Sequence, residues 1–248
     1  QKMFKSVSII YPVFNEEKRL KKTFQDIERF EKFNKFIKKE YIFVNDGSSD
    51  QTLSIIKKQF KNNNRIKIVT YNRNMGKGYA LKRGVRVAKN DWVLTTDADC
   101  SVSNFQLIEW IKKRYLHQNN LIYFGSRNHK LSVVKKRNVR KIIGMIFKLT
   151  IRFFFQIKIS DTQCGFKLYK LNTAKRIFKM VSTNDYMHDI EICLISKKLN
   201  IKIIDLPVKW THIDHSKINF VSDFFKIAFS LIKISKNNIN KNKVEPIQ

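Results

Sequence analysis

Short apolar runs alternate along this chain with longer amphipathic stretches. "SVSIIYP" (6–12) predicts a buried strand ended by Pro12. "NEEKRLKKTFQDIERFEKF" (15–33) follows with helical periodicity and acids placed for a first turn. "YIFVNDGSSD" (41–50) predicts a second strand running into a turn, where Ser48, Ser49 or Asp50 would cap the helix "QTLSIIKKQF". "IKIVTY" (66–71) predicts a third strand, "NMGKGYALKRGVRVA" (74–88) a glycine-bearing loop feeding a helix, and "WVLTTDAD" (92–99) a fourth strand. "NFQLIEWIKKRYL" (104–116) reads as a helix and "LIYFGSR" (121–127) as a fifth strand. This alternation predicts an α/β fold with a mostly parallel central sheet flanked by helices. In such sheets ligands bind beyond the carboxyl ends of the strands, and Asp46, Asp97, Asp99 and Arg127 all fall at predicted strand ends.

The pattern changes after residue 135. "KIIGMIFKLTIRFFFQIKI" (141–159) carries a narrow polar stripe of Lys141, Lys148, Arg152 and Gln156, which share one helical face. "NFVSDFFKIAFSLIKI" (219–234) repeats the arrangement, ahead of a Lys/Asn-rich tail. Each segment reads either as a helix buried in a large core or as a cationic amphipathic helix lying in a membrane interface. No apolar run reaches the roughly 18–20 residues of a spanning helix.

Charge moves the balance toward the membrane. The 248 residues carry a formal net charge of +30, which implies an anionic partner: nucleic acid, acidic lipid or a phosphorylated substrate. Abundant Lys, Asn, Ile and Phe together also match an A/T-rich coding bias, so charge alone does not choose. Three cysteines, Cys100, Cys164 and Cys193, show no CxxC pairing and fit a reducing compartment.

The chemistry concentrates at "VLTTDADCS" (93–101). On an extended strand Asp97 and Asp99 would point the same way. A divalent cation such as Mg²⁺ or Mn²⁺, held by the two carboxylates together with substrate phosphates, makes that pairing tolerable. An acid/base dyad is the second reading, with no apolar pocket in view to separate the two pKa values. Gly76, Lys77 and Gly78 sit where backbone can approach a ligand, or simply where a loop enters a helix. Neither a Walker loop nor a GxGxxG follows the first strand, so a dinucleotide cofactor is not expected.

Taken in order, "SIIYPVFNEE", "FVNDGSSDQT", "NMGKGYALKRG" and "TTDAD" resemble the successive motifs of family 2 glycosyltransferases, which have the GT-A fold. "GSR" (125–127) and "DTQCGFKLY" (161–169) are similar to the polyprenyl-phosphate branch, above all to dolichyl-phosphate β-glucosyltransferases. The resemblance covers residues 6 to 218. It implies that Pro12, Asn15 and Glu16 or Glu17 line a nucleotide pocket, that Asp46 faces the base, and that Gly76 and Lys77 lie near the donor sugar-diphosphate. It also implies that Asp97, Ala98 and Asp99 bring in the metal and diphosphate, and that Gly125 to Arg127 and the 161–167 segment, Gln163 included, lie toward sugar and acceptor.

The expected activity is therefore an inverting transfer of a hexose from a UDP-sugar to a polyprenyl phosphate. A lipid phosphate is already anionic, so it needs cations rather than a base; Arg127, Arg137 and Arg140 can supply planar forks, and Lys217 a further charge. Arg137 and Arg140 read equally as a solvated basic face. A hydroxyl acceptor would instead need a general base, for which Asp161 and Asp189 are the candidates; a turn former and a helix N-cap are their structural alternatives. His212 or His215 is a candidate further metal ligand, more simply a surface histidine, and Cys164 a small packing residue. The expected organisation is one catalytic domain over 1–217, with a nucleotide-sugar half (1–135) and an acceptor half (136–217), then an amphipathic helix and tail (218–248). The expected location is peripheral, on the cytoplasmic side of a membrane. A nucleic-acid-binding protein is the non-enzymatic rival; it gives no reason for the DxD, and no nucleic-acid partner is expected.

Overall fold

A computed structural model describes residues 4–117, 121–135 and 159–213. The expectations for Arg137, Arg140, His215, Lys217, the body of both amphipathic segments and the 217/218 boundary lie outside these residues.

Strand β1 (Ser6–Val13) lies inside the sheet, and all its residues but Pro12 are buried. Val7, Ile9, Tyr11 and Val13 face one core with helix α1 (Leu20–Phe33) and helix α4 (Phe105–Lys112), which contribute Phe24, Ile27, Phe30 and Trp110. Ile10 points the opposite way, into a second core with helix α3 (Lys77–Val87), helix α5 (Leu171–Met180) and helix α6 (His188–Lys198). The two-residue period of the strand thus feeds both layers. Helix α3 lies close on the sheet because Gly84 faces Ile10 and Val44, where a Cβ would meet Ile10 Cγ2 at 2.5 Å.

The sheet has seven strands in the order β3-β2-β1-β4-β7-β5-β8. Strands β2 (Lys38–Asp46), β3 (Ile66–Tyr71) and β4 (Trp92–Thr95) run parallel to β1. Strand β7 (Lys167–Lys170) is inserted antiparallel between β4 and β5 (Ile122–Ser126), and β8 (Ile203–Pro207) pairs parallel with β5. Segments before and after residue 135 therefore interleave in one sheet. A separate two-stranded sheet pairs β6 (Val133–Lys135) with β9 (Lys209–Thr211), in parallel. Helix α2 (Thr52–Gln59) joins β2 to β3, and Asp50 Oδ1 accepts from Thr52 N at 2.9 Å near its start, in the manner expected of a capping acid.

Two expected boundaries are corrected. Helix α1 begins at Leu20, not in the 15–17 region, and has no acid in its first turn. Asn15 takes a left-handed backbone, φ 52°, and Glu16 and Glu17 form the turn that precedes the helix. Strand β4 ends at Thr95, so Asp97 and Asp99 lie in the turn beyond it. Their placement follows from turn geometry, with Cys100 at φ 59° and its N–H on Asp97 O, rather than from strand alternation.

Candidate active site

The turn after β4 places Asp97 against the start of α3. Lys77 Nζ donates to Asp97 Oδ1 at 2.6 Å. On the other side Gly165 closes the approach, because a Cβ there would collide with Asp97 Oδ2. Burial works against the charge on Asp97, but the Lys77 ammonium outweighs it and holds the carboxyl below its usual range. Burial likewise opposes the charge on Lys77, and the Asp97 and Asp189 carboxylates together raise it. Asp99 is held separately: its Oδ1 accepts from Ser101 N at 2.9 Å and Ser101 Oγ at 2.6 Å, and its Oδ2 lies 3.7 Å from Arg19 Nη1. Between them Ala98 O accepts from Thr23 Oγ1 of α1 at 2.6 Å.

Behind Asp97 lies a second charge pair that sequence reasoning did not single out. β7 sets Lys167 opposite Thr95 in register. Its Nζ, almost fully buried, donates to Asp189 Oδ1 at 2.6 Å. His188 Nε2 lies 3.0 Å from the same oxygen, though off the line of a hydrogen bond, while His188 Nδ1 bonds Asp185 O at 2.7 Å. Burial disfavours the Asp189 carboxylate, yet His188 and Lys167 hold its carboxyl far below the usual range. Lys77, Thr95, Thr96, Gly165, Lys167 and Asp189 line one narrow gap. A lysine inside the apolar run "GFKLY" was the available signal, since a buried cation requires a partner.

The donor-side residues are laced together. Asn15 Oδ1 accepts from Ser49 N at 2.8 Å, and Glu16 N donates to Thr52 Oγ1 at 2.7 Å. Gln51 N donates to Glu17 Oε2 at 3.1 Å. Pro12, half-buried, sits one residue before the end of β1. The buried Asp46 carboxylate anchors the 74–76 loop, accepting from Met75 N at 2.7 Å, Gly76 N at 2.9 Å and Asn74 Nδ2 at 3.0 Å. The "GKG" segment is a loop entering a helix, one of its two readings, and each glycine there has a steric reason. A Cβ on Gly76 would collide with Asn184 O, and one on Gly78 would crowd His188 and Thr183. The close approach is made by the chain's own 183–188 backbone, and the Gly78 and Tyr79 amides donate to Asn184 O.

On the far side of the turn, Arg127 and Asp161 form a fork: Nε to Oδ2 at 2.7 Å and Nη2 to Oδ1 at 2.8 Å, with Arg127 N on Oδ2 at 3.0 Å. The guanidinium carbon stands 5.7 Å from the centre of the Trp210 ring, and Gln163 N donates to Asp161 Oδ1 at 3.2 Å. Burial opposes the Asp161 charge, but the Arg127 bonds hold its carboxyl below 3.8. Asp161 and Asp189 are each paired with a cation, which makes both weaker bases than a free carboxylate. Cys164 is buried and its thiol is pushed up to about 12 by that burial, which suits packing and not a thiolate. His212 follows β9, its ring 5.9 Å from Trp210. A larger groove of about 480 Å³ lies apart from these residues, between α1 and the 100–103 turn, lined by Lys22, Asp26, Arg29 and Cys100 among others.

Comparison with known proteins places this arrangement. The model for "Glycosyl transferase family 2" matches residues 8–178, from β1 through α5. The chain is a family 2 glycosyltransferase. The glycosyltransferase is 35% identical over 242 residues to the dolichyl-phosphate beta-glucosyltransferase of Dictyostelium discoideum, covering 92% of this chain and 73% of that protein. It is 32% identical over 247 residues to the Saccharomyces cerevisiae enzyme of the same name, with 92% and 73% covered. Among solved structures its fold is similar to glucosyl-3-phosphoglycerate synthase from Mycobacterium tuberculosis in complex with Mg²⁺ and UDP, with a TM-score of 0.63 at 12% identity, covering 88% of this chain and 74% of that one. It is also similar to a mannosyltransferase from Pyrobaculum calidifontis in complex with GDP-Man and Mn²⁺, with a TM-score of 0.62 at 18% identity and 97% and 66% covered. The fold is thus of the GT-A type.

The Arg127–Asp161 pair generates a test of its own. A carboxyl depressed in the folded state adds stability that is present above its unfolded value and lost as pH falls through the folded value. Asp161→Asn in this glycosyltransferase is expected to cost about 3 kcal/mol near neutral pH, the low end for breaking a buried pair, since Arg127 is partly solvated. The gap from wild type should narrow as pH falls below the ordinary carboxylate range, where the unfolded chain takes up its proton before the folded one. Urea unfolding at pH 7 and pH 3 measures both.

Proposed function

We infer that this glycosyltransferase moves glucose from UDP-glucose to a polyprenyl phosphate, with inversion at the anomeric carbon. The observation that carries the reading is the state of the acids around the DxD turn. The two acids that could serve a hydroxyl acceptor, Asp161 and Asp189, are each paired with a cation, so what the described residues offer there is fixed positive charge. That suits an acceptor that is already an anion and does not suit a hydroxyl, which must lose a proton. The names of the relatives, spanning 92% of the chain, agree with glucose and a dolichyl-type phosphate.

The residues present fit a divalent cation. Asp97 and Asp99 offer hard carboxylate oxygens, and the Lys77 ammonium already stands as a cation on Asp97. Among the described residues there is no group of three or more His, Cys, Asp or Glu that could hold a metal. Mg²⁺ or Mn²⁺ bound there would neutralise the diphosphate leaving group. The chain's own residues do the rest. Asn15, Glu16 and Glu17, braced against 49–52, shape the nucleotide side next to Pro12. Asp46 fixes the loop from which Lys77 reaches the site. Arg127, pinned by Asp161 and beside Trp210, would supply fixed positive charge to an acceptor phosphate.

The membrane side follows from β6 and β9. Their parallel register pairs Lys135 with Thr211, and His212 N donates to Lys135 O at 3.0 Å. The chain therefore runs into both basic amphipathic stretches from one edge, where Leu131 and Val133 are exposed. Arg137, Arg140 and Lys217 follow within a few residues of that edge in sequence, suited to a lipid phosphate head group arriving from a cytoplasmic membrane surface. No helix of the described residues is long and apolar enough to cross a membrane.

The enzymatic test is a panel of nucleotide sugars against polyprenyl phosphate and against the corresponding polyprenol. UDP-glucose with the phosphate should give product, and the polyprenol none. Asp97→Asn and Asp99→Asn should each lower kcat by about 10²-fold or more, as expected for loss of charge stabilisation at a leaving group. Turnover of the polyprenol, or near-normal metal-dependent rates in both variants, would refute the reading. For the membrane, liposome flotation should show binding to anionic vesicles, at about 1 kcal/mol per engaged Lys or Arg, falling as salt rises. Failure to float at low salt would remove the peripheral attachment.

A further inference from the structure

We propose that the Lys77 ammonium is a tethered counter-ion that holds the cation position on Asp97 until a nucleotide diphosphate draws it away, so that divalent metal and nucleotide bind as a coupled pair. The proposal rests on the donor-site reading above and adds to it a reason for joint binding.

The first observation is how Asp97 is occupied. Gly165 packs against its carboxylate, where a Cβ would collide with both oxygens, and its Oδ1 carries Lys77 Nζ at 2.6 Å. A metal reaching Asp97 therefore meets the ammonium. Dication and ammonium on one carboxylate repel strongly in a partly desolvated site. Asp99 does not relieve this, because Ser101 holds its Oδ1 and Arg19 lies near its Oδ2.

The second observation is that Lys77 has a fixed base and a movable tip. Asp46 anchors the Met75 and Gly76 amides, and Asn184 O accepts from Gly78 N at 2.8 Å and Tyr79 N at 3.3 Å. The backbone on both sides of Lys77 is thus pinned. Its side chain is 22% exposed and that of Asp97 is 37% exposed, so the pair opens toward solvent. Exchange needs only rotation of the four-carbon stem.

The third observation is where the ammonium can go. The other carboxylate lining the gap, Asp189, is bonded to Lys167. The Gly78 and Tyr79 amides at the start of α3 are taken by Asn184 O. A diphosphate arriving beside Asp97 supplies the missing anion: it takes the Lys77 ammonium and leaves the Asp97 oxygen to the metal. Each ligand then favours the other, and by linkage the coupling is reciprocal.

The test is Mn²⁺ binding followed by electron paramagnetic resonance of the free ion, with and without UDP, corrected for the Mn²⁺–UDP complex measured without protein. Wild type should bind Mn²⁺ weakly alone and more tightly with UDP, by a factor of about 5 to 150. Lys77→Met, with its fold checked by circular dichroism, should bind Mn²⁺ alone about tenfold more tightly than wild type, and its gain from UDP should shrink. Lys77→Arg keeps the cation and should keep the wild-type pattern. An unchanged or weaker affinity in folded Lys77→Met, or tight binding by Lys77→Arg, overturns the counter-ion while leaving the metal site standing. A wild type that takes up no Mn²⁺ even with UDP overturns both.

Discussion

A charge withdrawn from water must be paired, and the carboxyl end of this sheet is built around that requirement. Asp97, Asp161 and Asp189 enter an environment whose burial disfavours their charge. Each is kept ionised by facing cations: Lys77 on Asp97, Arg127 on Asp161, and His188 with Lys167 on Asp189. The partners come from different elements, so the pairs also fix how those elements meet. Lys167 on β7 reaches Asp189 on α6, and Arg127 after β5 reaches Asp161 in the loop before β7. Only the Asp97 pair is open enough to exchange its cation, and that pair lies at the turn where a diphosphate would arrive.

Close backbone approach serves the same end. Gly165 lets the loop before β7 pack directly on Asp97, and Gly76 and Gly78 let the start of α3 press on the 183–188 segment. A β-carbon at Gly165 would meet the Asp97 carboxylate, and one at Gly76 or Gly78 would push the 183–188 segment away. The insertion of β7 between β4 and β5 is what brings the late segment, with Lys167 and Gly165, beside the early DxD turn.

Local pattern revealed most of the elements. β3 matches its expected span, and α2 and α3 follow from capping acid and glycine loop. The misplaced boundaries have tertiary causes. Thr95 and Thr96 look like continuing strand, yet β4 stops at Thr95 and Thr96 N bonds Ile10 O of β1 before the turn begins. Glu16 and Glu17 look like first-turn acids, yet Asn15 and Glu17 bind the neighbouring 49–51 turn and delay the helix. Asp46 and Arg127 were placed from the apolar runs before them, at the end of β2 and just after β5, and Lys77 from the glycine loop before α3. Their partners were not, since Arg127 and Asp161 are 34 positions apart and Lys167 and Asp189 22 apart, separations that no periodicity encodes. The antiparallel entry of β7 was hidden for the same reason.

The most direct test of the account is a crystal structure of the protein soaked with UDP and Mn²⁺. The account predicts the metal on Asp97 or Asp99 and on the diphosphate, with Arg127 still forked on Asp161 and Lys167 still on Asp189. A nucleotide seated elsewhere, such as the groove beside α1, or an Asp189 carboxylate released from Lys167 and turned toward the sugar position, would contradict it.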